Sequence, residues 1–139
     1  MTSLPAAATG ERIEFDSPAG RLAAFVDGPV GAPVMLLVHS VNAAGSAAEV
    51  APVHRHYLAN RRVVSLDLPG FGASERSDRP YTPRLMTDAV LATLEEVHRR
   101  GAHRGPVDAL GLSLGSEFVA RAATEQPELF RTVALVSPT

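Results

Sequence analysis

The chain has 139 residues, a formal net charge of -2 and 45% hydrophobic residues, with an isoelectric point near 6.2 and a mean hydropathy of +0.06; these are the values of one globular domain with its own core. A nucleic-acid or anionic-membrane partner is excluded, because either would need clustered positive charge to displace counterions. The absence of cysteine removes disulfide scaffolds, thiolate zinc sites and cysteine nucleophiles together.

Arginine supplies every lysine-or-arginine position, the usage of a GC-rich bacterial genome. The opening "MTSLPAAATGERIEF" has no basic segment followed by a continuous apolar run. No stretch approaches the roughly 18 apolar residues of a membrane span, so the expected location is cytoplasmic.

Residues 1–10 are small and without period and read as a disordered tail, leaving 11–139 as the folded domain. "RIEF" and "RLAAFV" flank "DSPAG", whose Pro18 and Gly20 suit a turn, so 12–26 is expected to be a hairpin. "VMLLVHS" is a continuous apolar run of strand length, the pattern of a central strand buried on both faces. Ser46 with Glu49 three residues on spells a capping box, and Val50, Val53, Tyr57 and Leu58 then recur at helical spacing. A helix from about Ser46 to Asn60 is therefore expected. "RRVVSLDL" is the next strand, ended by the loop "PGFGASERSDRP", and Thr82 caps a second helix with Pro83 at its first position. "PVDALGL" is a strand, Leu114, Phe118 and Ala122 stripe a third helix, and "FRTVALVSPT" is a last apolar strand. Two strands followed by strand–helix alternation predict an α/β fold: a mainly parallel sheet with right-handed crossovers and helices on both faces.

Residues 111–115 read "GLSLG", with Ser113 at the junction of a strand and a helix. Such a turn lifts a serine Oγ above the sheet's carboxyl edge, beside the unpaired amides of a helix's first turn. Gly111 and Gly115 suit a place where strand and helix come too close for a side chain.

With "LLVHS" and "VNAAGS" after one strand, "DLPGFGAS" after the next and "GLSLG" after the third, the chain resembles the N-terminal part of an α/β-hydrolase fold enzyme, over about Glu11 to Thr139. The resemblance implies that Ser113 is the nucleophile and that Leu114 and Val41 donate backbone N–H groups to an oxyanion. Ser40 stands where many members have glycine, and Asn42 where proline is common, which leaves the second donor among Val41, Asn42 and their neighbours. It implies no cofactor and no metal, a small-molecule substrate, and an incomplete fold whose cap and last strands are missing. The exposed sheet edge would then favour self-association or a complementary chain.

Triad members of this fold follow the order serine, acid, histidine. After Ser113 the sequence has no aspartate or histidine, and its acids Glu117, Glu125 and Glu128 lie on or just past the helix leaving the turn. His39 ends the strand beside that of Ser113, yet the matching family histidine organises the oxyanion loop. His54 and His56 diverge on a helix and read as surface residues. His98 and His103 flank a helix end at the opposite edge. Asp67 reads as a brace for its own loop, Ser74 and "SERSD" as solvated loop, and Asp108 inside a strand needs a hydrogen-bonding neighbour or an edge position. Phe71 suits a pocket border or the core equally. The expected function is a serine hydrolase working through an acyl-enzyme on an ester, amide, thioester or activated C–C bond, with acid and histidine outside this chain. The alternative is a non-catalytic scaffold that binds a ligand or partner chain.

Overall fold

A computed structural model describes residues 6–101 and 105–138. Strands β1 (Glu11–Ser17) and β2 (Gly20–Asp27) form the expected hairpin, paired from Glu11↔Val26 to Ser17↔Gly20. The remaining strands are β3 (Val34–Val38), β4 (Arg62–Asp67), β5 (Val107–Leu112) and β6 (Phe130–Val136). They make one six-stranded sheet in the order β1-β2-β4-β3-β5-β6. β1 and β2 are antiparallel to each other and β2 is antiparallel to β4, while β4, β3, β5 and β6 run parallel.

The helices are α1 (Ala51–His56), α2 (Pro83–Arg99) and α3 (Gly115–Glu125). Side chains alternate along a strand, and β3 shows the consequence. Val34, Leu36 and Val38 join the core with Met86, Val90 and Phe118 of α2 and α3, whereas Met35 and Leu37 pack with Val50 and Val53 on the α1 side. All five β3 residues are buried, which explains the uninterrupted apolar run. α2 starts as its sequence requires, with the Thr82 hydroxyl accepting from the Leu85 N–H at 3.1 Å and Pro83 at the first position.

Several expectations are corrected. The helix foreseen over Ser46 to Asn60 is a 3-10 turn (Ala47–Val50) followed by the short α1. Pro52 has no N–H to return to the first turn, so the segment cannot run as one α-helix. The capping box also does not close, since Ser46 Oγ takes the Ala48 N–H and the Glu49 carboxylate turns away to Ser40. The tail expected over 1–10 is packed at its inner end. Ala8 is 6% exposed against Phe25 and Ala47, and the Thr9 carbonyl lies 3.1 Å from His54 Nε2.

His54 is therefore not a surface histidine: it is fully buried, with Nδ1 2.7 Å from Ser65 Oγ. Burial pushes its pKa below the ordinary 6.5, against the opposing bond to Thr9. His56 is exposed as expected. Ser74 is buried and not solvated, because its hydroxyl donates to the Asp67 carbonyl at 2.5 Å and accepts the Ala23 N–H at 2.9 Å, stitching the loop after β4 to β2.

Asp108 finds neighbours in place of an edge. At the amino end of β5 it accepts from Arg61, from Arg131 Nε at 3.0 Å and from Thr132 Oγ1 at 2.6 Å. Burial pushes its pKa up, but the bonds from Arg131, Thr132 and Arg61 outweigh that and hold the carboxyl well below the usual range. β6 is an edge strand, at the end of the sheet opposite β1, and it leaves Val133, Leu135 and Val136 about 40% exposed.

Candidate active site

The carboxyl ends of β3, β4 and β5 each open into a loop, and the three loops meet. β5 turns into α3 at Ser113, whose φ of +53° is rare for a residue with a side chain. The surroundings impose it. A Cβ at Gly115 would lie 2.3 Å from the His39 carbonyl oxygen, and one at Gly111 would lie 2.6 Å from the Ser116 Cα. The helix therefore sits directly on the strand end, as the two glycines led us to expect. The Ser113 N–H donates to the Val136 carbonyl at 2.8 Å, and its own carbonyl accepts from the Ser116 N–H at 3.0 Å. Glu117 N–H is likewise engaged, by the Leu114 carbonyl at 3.0 Å.

His39, at the end of β3, is fully buried and spans two loops. Its Nε2 accepts the Leu68 N–H at 3.0 Å, so that nitrogen carries no proton. Nδ1 must then hold it and donate to the Ser40 carbonyl at 2.6 Å. Burial pushes the pKa below 6.5 despite the Ser40 bond and the nearby Asp67 and Glu49 carboxylates, so the ring is neutral. It packs edge-on to Phe71 with centroids 5.4 Å apart. With both nitrogens committed to backbone, His39 organises the loops and has no lone pair for Ser113.

Asp67, ending β4, braces its loop. Oδ1 accepts the Ala47 N–H at 2.8 Å and Oδ2 the Ala73 N–H at 2.9 Å. Gly72, with φ +53°, lets the loop pass close, since a Cβ there would lie 2.2 Å from the carboxylate. Of the acids after Ser113, Glu117 pairs with Arg121 at 3.1 Å and Glu125 with Arg84 at 2.5 Å, while Glu128 is exposed in the 3-10 turn Pro127–Leu129. His98 lies in the last turn of α2, and His103 lies outside the described residues. Among the described residues no hydrogen bond joins a histidine to Ser113, and no group of three His, Cys, Asp or Glu could hold a metal ion.

A cavity of about 360 Å³ opens beside the β5–α3 turn, the elbow that carries Ser113, at the lower end of the range of small-molecule sites. Val41 from the β3 loop and Leu114 from the turn both line it, together with Phe71, Tyr81, Met86 and Phe118. Val41 and Leu114, separated by 73 positions in sequence, thus border one cavity. Phe71 serves both expected roles, lining the cavity and packing on the core. What sequence reasoning missed is Glu49. Its carboxylate grips Ser40 and Asn42, and its only signal was an acid three residues after Ser46, which read as a cap.

A mainly parallel sheet carrying a serine at a strained strand-to-helix turn defines the α/β-hydrolase class. The chain belongs to that family: residues 33–139 match the family model described as alpha/beta hydrolase fold. Its fold is similar to a hydrolase from Pseudomonas aeruginosa PA01, with 24% identity, a TM-score of 0.81, and 94% of this chain and 47% of that one covered. It is also similar to naproxen esterase from Bacillus subtilis, at 20% identity and TM-score 0.79 over 94% of this chain and 44% of that one. Carboxylesterase CesB from the same organism gives the same figures, 20%, 0.79, 94% and 44%. The chain thus spans less than half the length of each of these three structures. Comparison with curated protein sequences gave no match. No helix among the described residues is long and apolar enough to cross a membrane.

Proposed function

We propose that this chain carries the nucleophile of a serine hydrolase acting through an acyl-enzyme on an ester, amide, thioester or activated C–C bond. The observation that carries the reading is the backbone of Ser113, held at φ +53° between two glycines that leave no room for a side chain. That conformation costs about 1–2 kcal/mol for an L-residue, and at Ser113 it stands at a strand-to-helix turn where the flanking glycines admit no Cβ.

In this reading Ser113 Oγ adds to the substrate carbonyl carbon, and the carbonyl electrons move to oxygen. The Leu114 and Val41 N–H groups hold that oxyanion. Collapse expels the alcohol, amine or thiol with a proton, or for an activated C–C bond the stabilised carbanion, which takes up that proton, and water then releases the acid and restores Ser113. The serine proton needs a base. Because His39 and His54 are engaged by other groups, we place the histidine and its acid outside residues 1–139. The apolar cavity next to Val41 and Leu114 would hold the apolar part of a compact substrate.

Turnover of p-nitrophenyl esters of graded chain length, by the protein as its gene encodes it, tests the proposal. Ser113→Ala is expected to lower kcat by about 10⁴ or more. A loss below tenfold would rule the nucleophile out. The second reading, a binding scaffold, is favoured by the engagement of His39. It requires no turnover by the wild type and equal ligand affinity in Ser113→Ala.

A further inference from the structure

Ser40 poses a problem that the glycine usual at this place does not: it brings a hydroxyl into a position only 6% exposed. Buried polar groups need partners. Glu49 supplies them. Oε1 accepts the Ser40 N–H at 3.1 Å, and the Ser40 hydroxyl lies 2.8 Å from both carboxylate oxygens. Asn42 Nδ2 closes the triangle, at 2.6 Å from Ser40 Oγ and 3.1 Å from Glu49 Oε2, while Asn42 Oδ1 accepts the Ala44 N–H at 2.9 Å.

The carboxylate is itself anchored. Glu49 N–H donates to the Ser46 carbonyl at 3.0 Å, and the same turn is tied to Asp67 through the Ala47 N–H. A continuous chain of bonds therefore runs from the end of β4 through the 3-10 turn to the residues on either side of Val41. Two consequences follow. The Ser40 amide is consumed and cannot face a substrate oxygen, which leaves the role open to the next amide, that of Val41, a residue lining the cavity. The peptide that presents it is held by charge-assisted bonds, which are shorter and roughly twice as strong as neutral ones.

We propose that Glu49 is the positioning residue of the oxyanion loop: its bonds to Ser40 and Asn42 aim the Val41 N–H at the site. This rests on the reading of Ser113 as nucleophile and Val41 as donor. Glu49 touches no reacting atom and acts through the peptide it holds. Donors misplaced by about 1 Å cost on the order of a hundredfold in rate, so a loop set free by losing Glu49 has a measurable signature.

The test compares wild type, Glu49→Ala and Glu49→Gln in two measurements: amide hydrogen exchange at residues 40–44, and the rate of phosphonylation of Ser113 by a fluorophosphonate. Glutamine keeps one oxygen for the Ser40 N–H but faces the Asn42 amide with a donor, so it should rescue in part. Glu49→Ala is expected to speed exchange at Ser40 by about tenfold or more and to slow phosphonylation by a similar factor, with Glu49→Gln between. Exchange in β3 and β5 should stay within about threefold. Unchanged exchange at Ser40, unchanged reactivity in Glu49→Ala, or acceleration spread equally over the sheet each overturns the proposal. A wild type that does not react at Ser113 sinks the nucleophile reading instead, and the exchange ordering then still decides whether Glu49 holds the loop.

Discussion

Replacing His39 with leucine separates a brace from a base. Leucine keeps apolar contact with Phe71 but removes both hydrogen bonds, stranding the Leu68 N–H and the Ser40 carbonyl in a site with no solvent. An orphaned buried polar group costs about 1–3 kcal/mol, so two cost about 2–6 kcal/mol, of which the more apolar side chain offsets a part. We expect a net loss of about 2–4 kcal/mol. Urea unfolding followed by far-ultraviolet circular dichroism reads this directly: with a slope of about 2 kcal/mol per molar, the midpoint falls by roughly 1–2 M.

The same variant has a pH signature. Burial lowers the folded-state pKa of His39, so below about pH 6.5 the unfolded chain binds the extra proton and the folded chain resists it. The stability held by the neutral ring is present above that pH and is lost as pH falls. One such group contributes a slope of up to about 1.4 kcal/mol per pH unit. His54 is buried and shifted in the same direction. The wild type should therefore lose stability more steeply than His39→Leu as pH falls below about 6.5, because two such groups titrate in the one and one in the other. A midpoint shift worth less than 0.5 kcal/mol, or an unaltered pH slope, would refute the bridging assignment.

Relieving the elbow gives a stability gain at the expense of chemistry: Ser113→Gly should be more stable than Ser113→Ala by about 1 kcal/mol in thermal unfolding, with neither variant turning over ester. Gly115→Val should destabilise by about 2–4 kcal/mol in urea, because its side chain must displace the His39 and Val38 backbone. Asp108→Ala should cost about 1–3 kcal/mol near pH 7 and progressively less as pH falls below the ordinary carboxyl value of 3.8. The folded-state pKa of Asp108 is depressed, so its contribution is present above the ordinary carboxyl range and disappears as the group is protonated. The apolar edge of β6 should make isolated residues 1–139 self-associate, and analytical ultracentrifugation showing one monodisperse monomer would contradict this.

The strands and the elbow were legible because their signals are local. β3 is apolar at every position since both its faces are covered, and Gly111 and Gly115 mark a backbone approach that allows no Cβ. Thr82 and Pro83 start α2 where they say they do. Misreadings arose where a polar side chain chose a distant partner over a near one. Glu49 had the spacing of a cap but reaches Ser40, nine positions back. His54 looked solvated on a short helix, yet Ser65 and Thr9 bury it from two directions. Ser74 sits in a run of polar residues, and only the fold brings Ala23 to it. Asp108 was odd in sequence for the same reason, since Arg61 and Arg131 meet it only across the sheet.

The proposal that Ser113 is a nucleophile rests on its presentation by the turn between β5 and α3. Treating the protein as its gene encodes it with a fluorophosphonate, then mapping the adduct by peptide mass spectrometry, tests it most directly. A single adduct on Ser113, lost in Ser113→Ala, is expected. Absence of that adduct, or equal labelling of the alanine variant, would contradict it.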